Sequence, residues 1–267
     1  MSKPFPLILI TNDDGIKAKG IANLVEAMRG LGRLVVVAPS APQSGMGHAI
    51  TIQNPLKVFK TNIFGSDVEA YECNGTPADC IKLAKVYILK NEIPDLVVSG
   101  INHGSNSSVS VLYSGTMSAA IEASIEDMPA IGFSLCDYDA DADFSHSLPF
   151  VRQIAQQALT RPYPSGIALN VNIPPITKGK IKGIKVCRQA KGKWVEKFDE
   201  RTDPYGRKYL WLTADFIQQD HGEDTDEWAL AHQYISVVPI SYDMTAYHAM
   251  ATLNSEWNWD LATLEIS

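Results

Sequence analysis

The stretch Leu7-Ile8-Leu9-Ile10-Thr11-Asn12-Asp13-Asp14-Gly15 decides the fold, because a short, unbroken apolar run ends abruptly in two adjacent carboxylates. A run without polar alternation reads as a strand buried on both faces of a parallel sheet. Neighbouring side chains on a strand point to opposite faces, so Asp13 and Asp14 converge only if the chain turns there, which Gly15 permits. Carboxylates at that end of a strand stand in the crevice where open α/β sheets bind ligands, and they repel unless a cation lies between them or one is protonated. A hard, oxygen-ligated cation such as Mg²⁺ or Mn²⁺ suits them. The alternative is a turn in which both acids cap backbone amides and face water.

Outward from this strand, Ile21 to Leu31 reads as a helix with Ile21, Leu24, Val25 and Met28 on one face, and Leu34 to Ala38 as a second buried strand. That is a βαβ unit. A polar, glycine-containing loop covers Pro39 to His48, and Ile50 to Glu72 alternates as antiparallel strands do. Helices over Ala78 to Leu89, Thr116 to Glu126 and Phe144 to Leu159 then alternate with strands at Leu96 to Ser99, Ala130 to Ser134 and Ile167 to Ile173. A mostly parallel sheet with helices on both faces is the economical arrangement. Beyond Pro175 the character changes: Lys178 to Ile217 is charged, β-rich and aromatic and reads as an extended hairpin. A short helix (Asp226 to Ala231), a strand (Tyr234 to Ile240) and an amphipathic tail (Ala246 to Trp259) follow. We therefore expect one domain over 1–267, with a core at 1–175, a β-rich extension at 176–220 and a last strand and carboxy-terminal arm at 221–267. Such arms pack on another subunit or wrap over their own core; the first reading is preferred.

The composition narrows the function. With 45% hydrophobic and 20% charged residues the chain is an ordinary globular one, and a net charge of −7 gives no footprint for a nucleic-acid polymer. Cys73, Cys80, Cys136 and Cys187 have no C-x-x-C or zinc spacing, as expected of reduced thiols. No apolar run reaches bilayer length and no cleavable leader is seen, so the expected location is cytoplasmic, away from membranes.

Three further polar constellations fall where strands should end. In Pro39 to His48, Gly45 and Gly47 let the backbone approach a ligand and Ser44 offers a hydroxyl. In Ser99-Gly100-Ile101-Asn102-His103-Gly104-Ser105-Asn106, amide oxygens are hard ligands suited to the same cation, although Asn102 and Asn106 equally suit left-handed turn positions. Tyr113-Ser114-Gly115-Thr116 opens a helix whose unpaired N–H groups and hydroxyls make a phosphate cradle or, more commonly, an ordinary N-cap. Acids, hydroxyls, amides and a helix start on one sheet edge together read as phosphoryl-group hydrolysis.

These segments, with Asn74-Gly75-Thr76-Pro77-Ala78-Asp79 and Thr225-Asp226 to Pro239, resemble the ordered motifs of the SurE family of metal-dependent 5′/3′-nucleotidases. The resemblance implies a Rossmann-like core, a homodimer or homotetramer that exchanges carboxy-terminal segments, and one divalent cation per subunit held by Asp13, Asp14, Ser44 and Asn102. It implies nucleoside monophosphates as substrates, broader phosphomonoesters and short polyphosphate being accepted by some members. Departures are Lys19 for a usual proline, His48-Ala49 for a usual polar residue and Val238 for threonine. None touches an implied ligand, and His48 and His103 stand out as residues able to alter substrate preference.

The mechanism expected is attack on phosphorus by a metal-activated water. Asn12 and Asn102 orient the nucleophile side, Asp13 or Asp14 takes the water proton, and Ser114, Gly115 and Thr116 hold the non-bridging oxygens. His103 is the candidate donor to the leaving ribose oxygen, unless it is a plain surface residue. Asn74 to Asp79 is the segment offered for the base. Two rival classes stand beside this one: a phosphatase using an aspartyl nucleophile, and a module that binds nucleotide without hydrolysing it.

Overall fold

A computed structural model describes residues 5–257 and 259. Its main sheet has nine strands: β1 (Leu7–Thr11), β2 (Arg33–Pro39), β3 (Val58–Thr61), β4 (Glu69–Cys73), β5 (Leu96–His103), β6 (Ala130–Leu135), β7 (Ile167–Ile173), β8 (Gly183–Val186) and β11 (Tyr234–Ser241), with β9 (Gly192–Thr202) and β10 (Lys208–Gln218) standing apart. The spatial order is β3-β4-β2-β1-β5-β6-β7-β11-β8, parallel except where β3 meets β4 and β11 meets β7.

The unbroken apolar run of β1 is explained by two cores. Ile8 and Ile10 pack with α1 (Lys19–Met28) and α4 (Leu148–Thr160) on one face. Leu7 and Leu9 pack with α2 (Pro77–Leu83) and α3 (Gly115–Ile125) on the other. Because β2 lies to one side of β1 and β5 to the other, the strand order reverses at β1, and the crevice beyond the carboxyl ends of β1 and β5 is the switch point where such sheets take ligands. Small residues bring α3 close: a Cβ at Gly132 of β6 would lie 2.3 Å from the Met117 sulfur.

Several expectations are corrected. Of the segment 50–72 only β3 and β4 are strands; they pair antiparallel as expected, and β4 in addition runs parallel to β2. Gly183–Val186 is not part of the hairpin: it adds to the sheet edge beside β11, leaving β9 and β10 as an eleven-pair antiparallel ribbon. The helix at Ala78 to Leu89 is α-helical only to Leu83 and continues as a π turn over Ala84–Ile88. After α5 (Asp226–Ala231) and β11, α6 (Tyr247–Glu256) has no buried residue, so the tail presents no core-facing stripe. Residues 258 and 260–267 of the expected arm lie outside the described residues. No helix among the described residues is long and apolar enough to cross a membrane.

Candidate active site

β1 delivers Asn12, Asp13 and Asp14 to the crevice, and Gly15, at φ 94°, makes the turn that a side chain would strain. Asp13 is 3% exposed. The Thr116 hydroxyl donates to its Oδ1 at 2.5 Å, and the first turn of α3 rests against it so closely that a Cβ on Gly115 would lie 2.6 Å from the Asp13 Cβ. Burial raises the Asp13 carboxyl from 3.8 to about 6, the Thr116 bond opposing and the Asp14 charge adding to the shift. Burial also raises Asp14, and the backbone N–H of His103 offsets part of this.

The side chain of Asn12 donates from Nδ2 to the Gly15 carbonyl at 2.9 Å, while its Oδ1 is buried without a partner among the described residues. Asn102 donates from Nδ2 to the Gly104 carbonyl at 2.8 Å, which leaves its oxygen as the free end of the amide. Neither Asn102 nor Asn106 occupies a left-handed position; those are taken by Gly100, Gly104 and Ser108. Next in the ladder, Thr11 and Ser99 face each other in register, fully buried, each hydroxyl oxygen without a partner among the described residues.

The helix start combines both readings made of it. Ser114 is the N-cap, its Oγ accepting from the Met117 N–H at 3.0 Å, yet its own hydroxyl hydrogen remains available. Thr116 departs from expectation: it is fully buried, its hydroxyl is engaged by Asp13, and its backbone N–H is turned to the same carboxylate. The loop carrying Ser44 is tied down by the Gln43 N–H to the Asp13 carbonyl at 2.7 Å and the Gly47 N–H to the Tyr113 carbonyl at 3.3 Å, with Ser44 itself exposed. The His103 ring nitrogen Nε2 lies 2.6 Å from the Asp139 carbonyl and the ring meets Phe144 edge-on.

The segment expected to serve the base is structural. Asn74 Oδ1 accepts from the Lys57 N–H at 2.6 Å, and Thr76 and Asp79 form a capping box on α2, with Asp79 also accepting from the Thr51 N–H at 3.0 Å. Sequence reasoning missed a buried amide network that fixes the loop after β5. The Asn106 N–H donates to Asn172 Oδ1 at 2.8 Å, its Nδ2 to Ser134 Oγ at 2.9 Å, and Asn170 Nδ2 to the Asn106 carbonyl at 2.9 Å. The signal was present in Asn170-Val171-Asn172, two amides at the spacing that puts them on one face of a buried strand. Asp226 adds a brace, accepting from the N–H groups of Ser108 at 2.8 Å and Ala190 at 2.9 Å.

Among the described residues no group of three or more His, Cys, Asp or Glu is assembled for a metal. The donors at the crevice are two carboxylates and amide oxygens, a set that fits a hard cation and no soft one. Partnerless buried Asn12 Oδ1, together with two carboxyls raised by burial, marks a place short of positive charge and of hydrogen-bond donors.

Fold and site together define an α/β protein with an acidic ligand site where the strand order of its sheet reverses, roofed by a helix N-terminus. The chain belongs to the SurE family: the family model described as survival protein SurE matches residues 8–196. It is 62% identical to the 5′-nucleotidase SurE of Cytophaga hutchinsonii, over 97% of this chain and 99% of that one, and 57% identical to that of Flavobacterium psychrophilum, over 98% and 99%. The crystal structure of the SurE protein from Aquifex aeolicus is similar to it at a TM-score of 0.78 and 39% identity, covering 93% of this chain and 98% of that one.

Proposed function

We propose that the protein hydrolyses nucleoside monophosphates to nucleoside and phosphate, using one divalent cation, Mg²⁺ or Mn²⁺, per subunit. The observation that carries this reading is Asp13 set directly under the N-terminus of α3, with the second carboxylate, Asp14, next to it in the chain and beside His103. A cation and a phosphate side by side is the juxtaposition those two features call for. The relatives' name, 5′-nucleotidase, supports the substrate class.

Asp13, Asp14, Asn102 and, from the loop above, Ser44 would hold the cation, which supplies charge screening and lowers the pKa of a water. Asn12 would accept a hydrogen bond from the attacking water through its Oδ1, which has no partner among the described residues, and fix its direction. Asp14, the less buried acid, takes the water proton. The backbone N–H of Gly115 and the hydroxyl of Ser114 receive the non-bridging oxygens, while Thr116 holds Asp13 in place beneath them. His103 hands a proton to the leaving ribose oxygen. Exposed large side chains on β9, β10 and α6, with Trp211 59% and Tyr247 67% exposed, support assembly into a homodimer or homotetramer through these segments. The four free cysteines support a reducing, cytoplasmic setting.

The test is phosphate release from a panel of nucleoside monophosphates before chelation, after it, and after return of Mg²⁺ or Mn²⁺. Metal-restored release is the expected result. Binding without release in any metal would leave a nucleotide-binding module, and capture of a covalent aspartyl-phosphate would replace water by an aspartyl nucleophile.

A further inference from the structure

Behind Ser114, on the side of α3 away from β1, lies a cavity of about 350 Å³ lined by His48, Leu112, Ser114, Ile121, Tyr242 and Met244. Its walls are apolar apart from a few polar groups, the composition of a small-molecule pocket. Among these groups His48 is held from behind by a carboxylate. The carboxylate of Glu122, with its side chain 5% exposed, lies 2.9 Å from His48 Nε2 and accepts from Lys82 Nζ at 2.5 Å. Although burial pushes this carboxyl up, the hydrogen bonds from His48 and Lys82 outweigh it and hold it below its ordinary value. An ionised acceptor at Nε2 fixes the ring orientation and the tautomer: Nε2 carries hydrogen and, in the neutral ring, Nδ1 is an acceptor. Nδ1 makes no hydrogen bond among the described residues. The backbone beside it is equally fixed, by the Thr76 hydroxyl on the Ala49 carbonyl at 2.7 Å and the Gly47 N–H on that of Tyr113.

We infer that this cavity receives the base of the substrate and that His48, oriented by Glu122, is a specificity-determining residue that accepts a hydrogen bond from an amino group of that base. The inference rests on the proposed hydrolysis of nucleoside monophosphates and adds to it the place and polarity of base recognition. Ser114 supplies the continuity: it belongs at once to the rim of this cavity and to the helix start proposed to hold the phosphate, so one nucleotide reaches both. The volume exceeds that of a single base and leaves room for the sugar. An acceptor fixed from behind in a mostly apolar cavity favours bases that carry an amino group, such as adenine and cytosine, over uracil, whose corresponding oxygen would face the same lone pair. A hydrogen-bonding site discriminates mainly through the group it would otherwise leave unpaired.

The probes are adenosine, uridine and inorganic phosphate, each titrated calorimetrically into the full-length protein. Adenosine should bind more tightly than uridine. His48→Ala should weaken adenosine by roughly five- to ten-fold and erase its advantage over uridine, while the phosphate titration shifts by less than about two-fold. His48→Gln, which returns an amide oxygen to the same loop, should recover part of the preference, a result that general loosening of the loop would not give. Adenosine affinity unchanged in His48→Ala, equal weakening of adenosine and phosphate, or no adenosine binding by the native protein would each overturn the assignment. These titrations need no turnover, so failure of the hydrolytic reading is read separately from phosphate release.

Discussion

The crevice beyond β1 and β5 and the ribbon of β9 and β10 treat their polar groups in opposite ways. In the crevice, side chains hold residues distant in sequence: Asp13 the hydroxyl of Thr116, Asn172 the backbone N–H of Asn106, Asp226 that of Ser108. Along the ribbon the ion pairs stay within it, Lys197 with Asp215 and Lys208 with Glu200, and large apolar side chains such as Phe198, Leu210 and Leu212 remain exposed. The first region is preorganised by a folded scaffold, which is what a site must be if its charges are not to relax away from the ligand. The second holds its shape by its own pairing and leaves its apolar surface unused by the subunit.

The largest effect that this contrast predicts is at Asp13. Asp13→Asn keeps size and burial and removes the charge, so the fold should persist while turnover falls by at least about 100-fold, several kcal/mol of transition-state stabilisation being lost. Phosphate release and thermal melting on the same sample check it. Near-native turnover would move the cation elsewhere.

A second effect follows from the raised Asp13 carboxyl. From about pH 4 to pH 6 the unfolded chain has lost this proton, its ordinary value being 3.8, while the folded protein keeps it up to about 6. The native state then binds more protons, so this group's contribution to stability declines as pH rises through that window. Without divalent cation the cost at pH 7 is on the order of 2–3 kcal/mol from a shift of about two units, less what relaxation of the site recovers. Mg²⁺ or Mn²⁺ should therefore raise the melting temperature clearly at pH 7 and little at pH 4.5. Equal stabilisation at both values would show that the cation does not bind at Asp13.

How far these properties are legible in sequence differs between the two regions for a physical reason. The run Leu7 to Gly15 announced strand, turn and acids because all three are local consequences of neighbouring residues. The alternation of buried strands and helical periods likewise gave the doubly covered sheet. Contacts closed by the fold were not legible: nothing near Thr116 in the chain says that its hydroxyl meets a residue 103 positions earlier, and nothing in Gly183–Val186 says that it joins β11 rather than the ribbon. The segment Asn74 to Asp79 misled because Asn, Thr and Asp serve caps and ligands equally well, and only the partners, Lys57, Thr51 and Ala49, decide between them.

Thr116→Val sharpens the account of the crevice at a smaller scale. Its hydroxyl was expected on phosphate and is found on Asp13. Removing a hydrogen bond to a charged group costs roughly 1.5–3 kcal/mol, so metal affinity should weaken by about ten-fold or more, with inhibition by inorganic phosphate changed less. Activity titrated against metal concentration and the phosphate inhibition constant, taken on one variant, give both numbers. A weakened phosphate constant with metal affinity intact would restore the hydroxyl to the phosphate.

The smallest effect on the subunit, and the one that tests the other half of the contrast, belongs to the ribbon. Leu210 and Trp211 are 57% and 59% exposed, on β10 opposite Glu200 and Asp199. Replacing both by Ser removes no core contact, so the stability of the isolated subunit should change by less than about 0.5 kcal/mol per site, as for surface substitutions elsewhere. Apolar surface of this extent is costly to leave in water and is characteristic of a surface that meets another chain. Sedimentation should therefore show a native protein larger than one subunit and a doubly substituted protein of lower mass, with phosphate release per subunit retained because neither substituted residue belongs to the hydrogen bonds that brace the crevice. If mass is unchanged while the melting temperature of a single subunit drops by several degrees, the ribbon folds back on its own chain and the division between a self-sufficient site and an outward-facing extension fails.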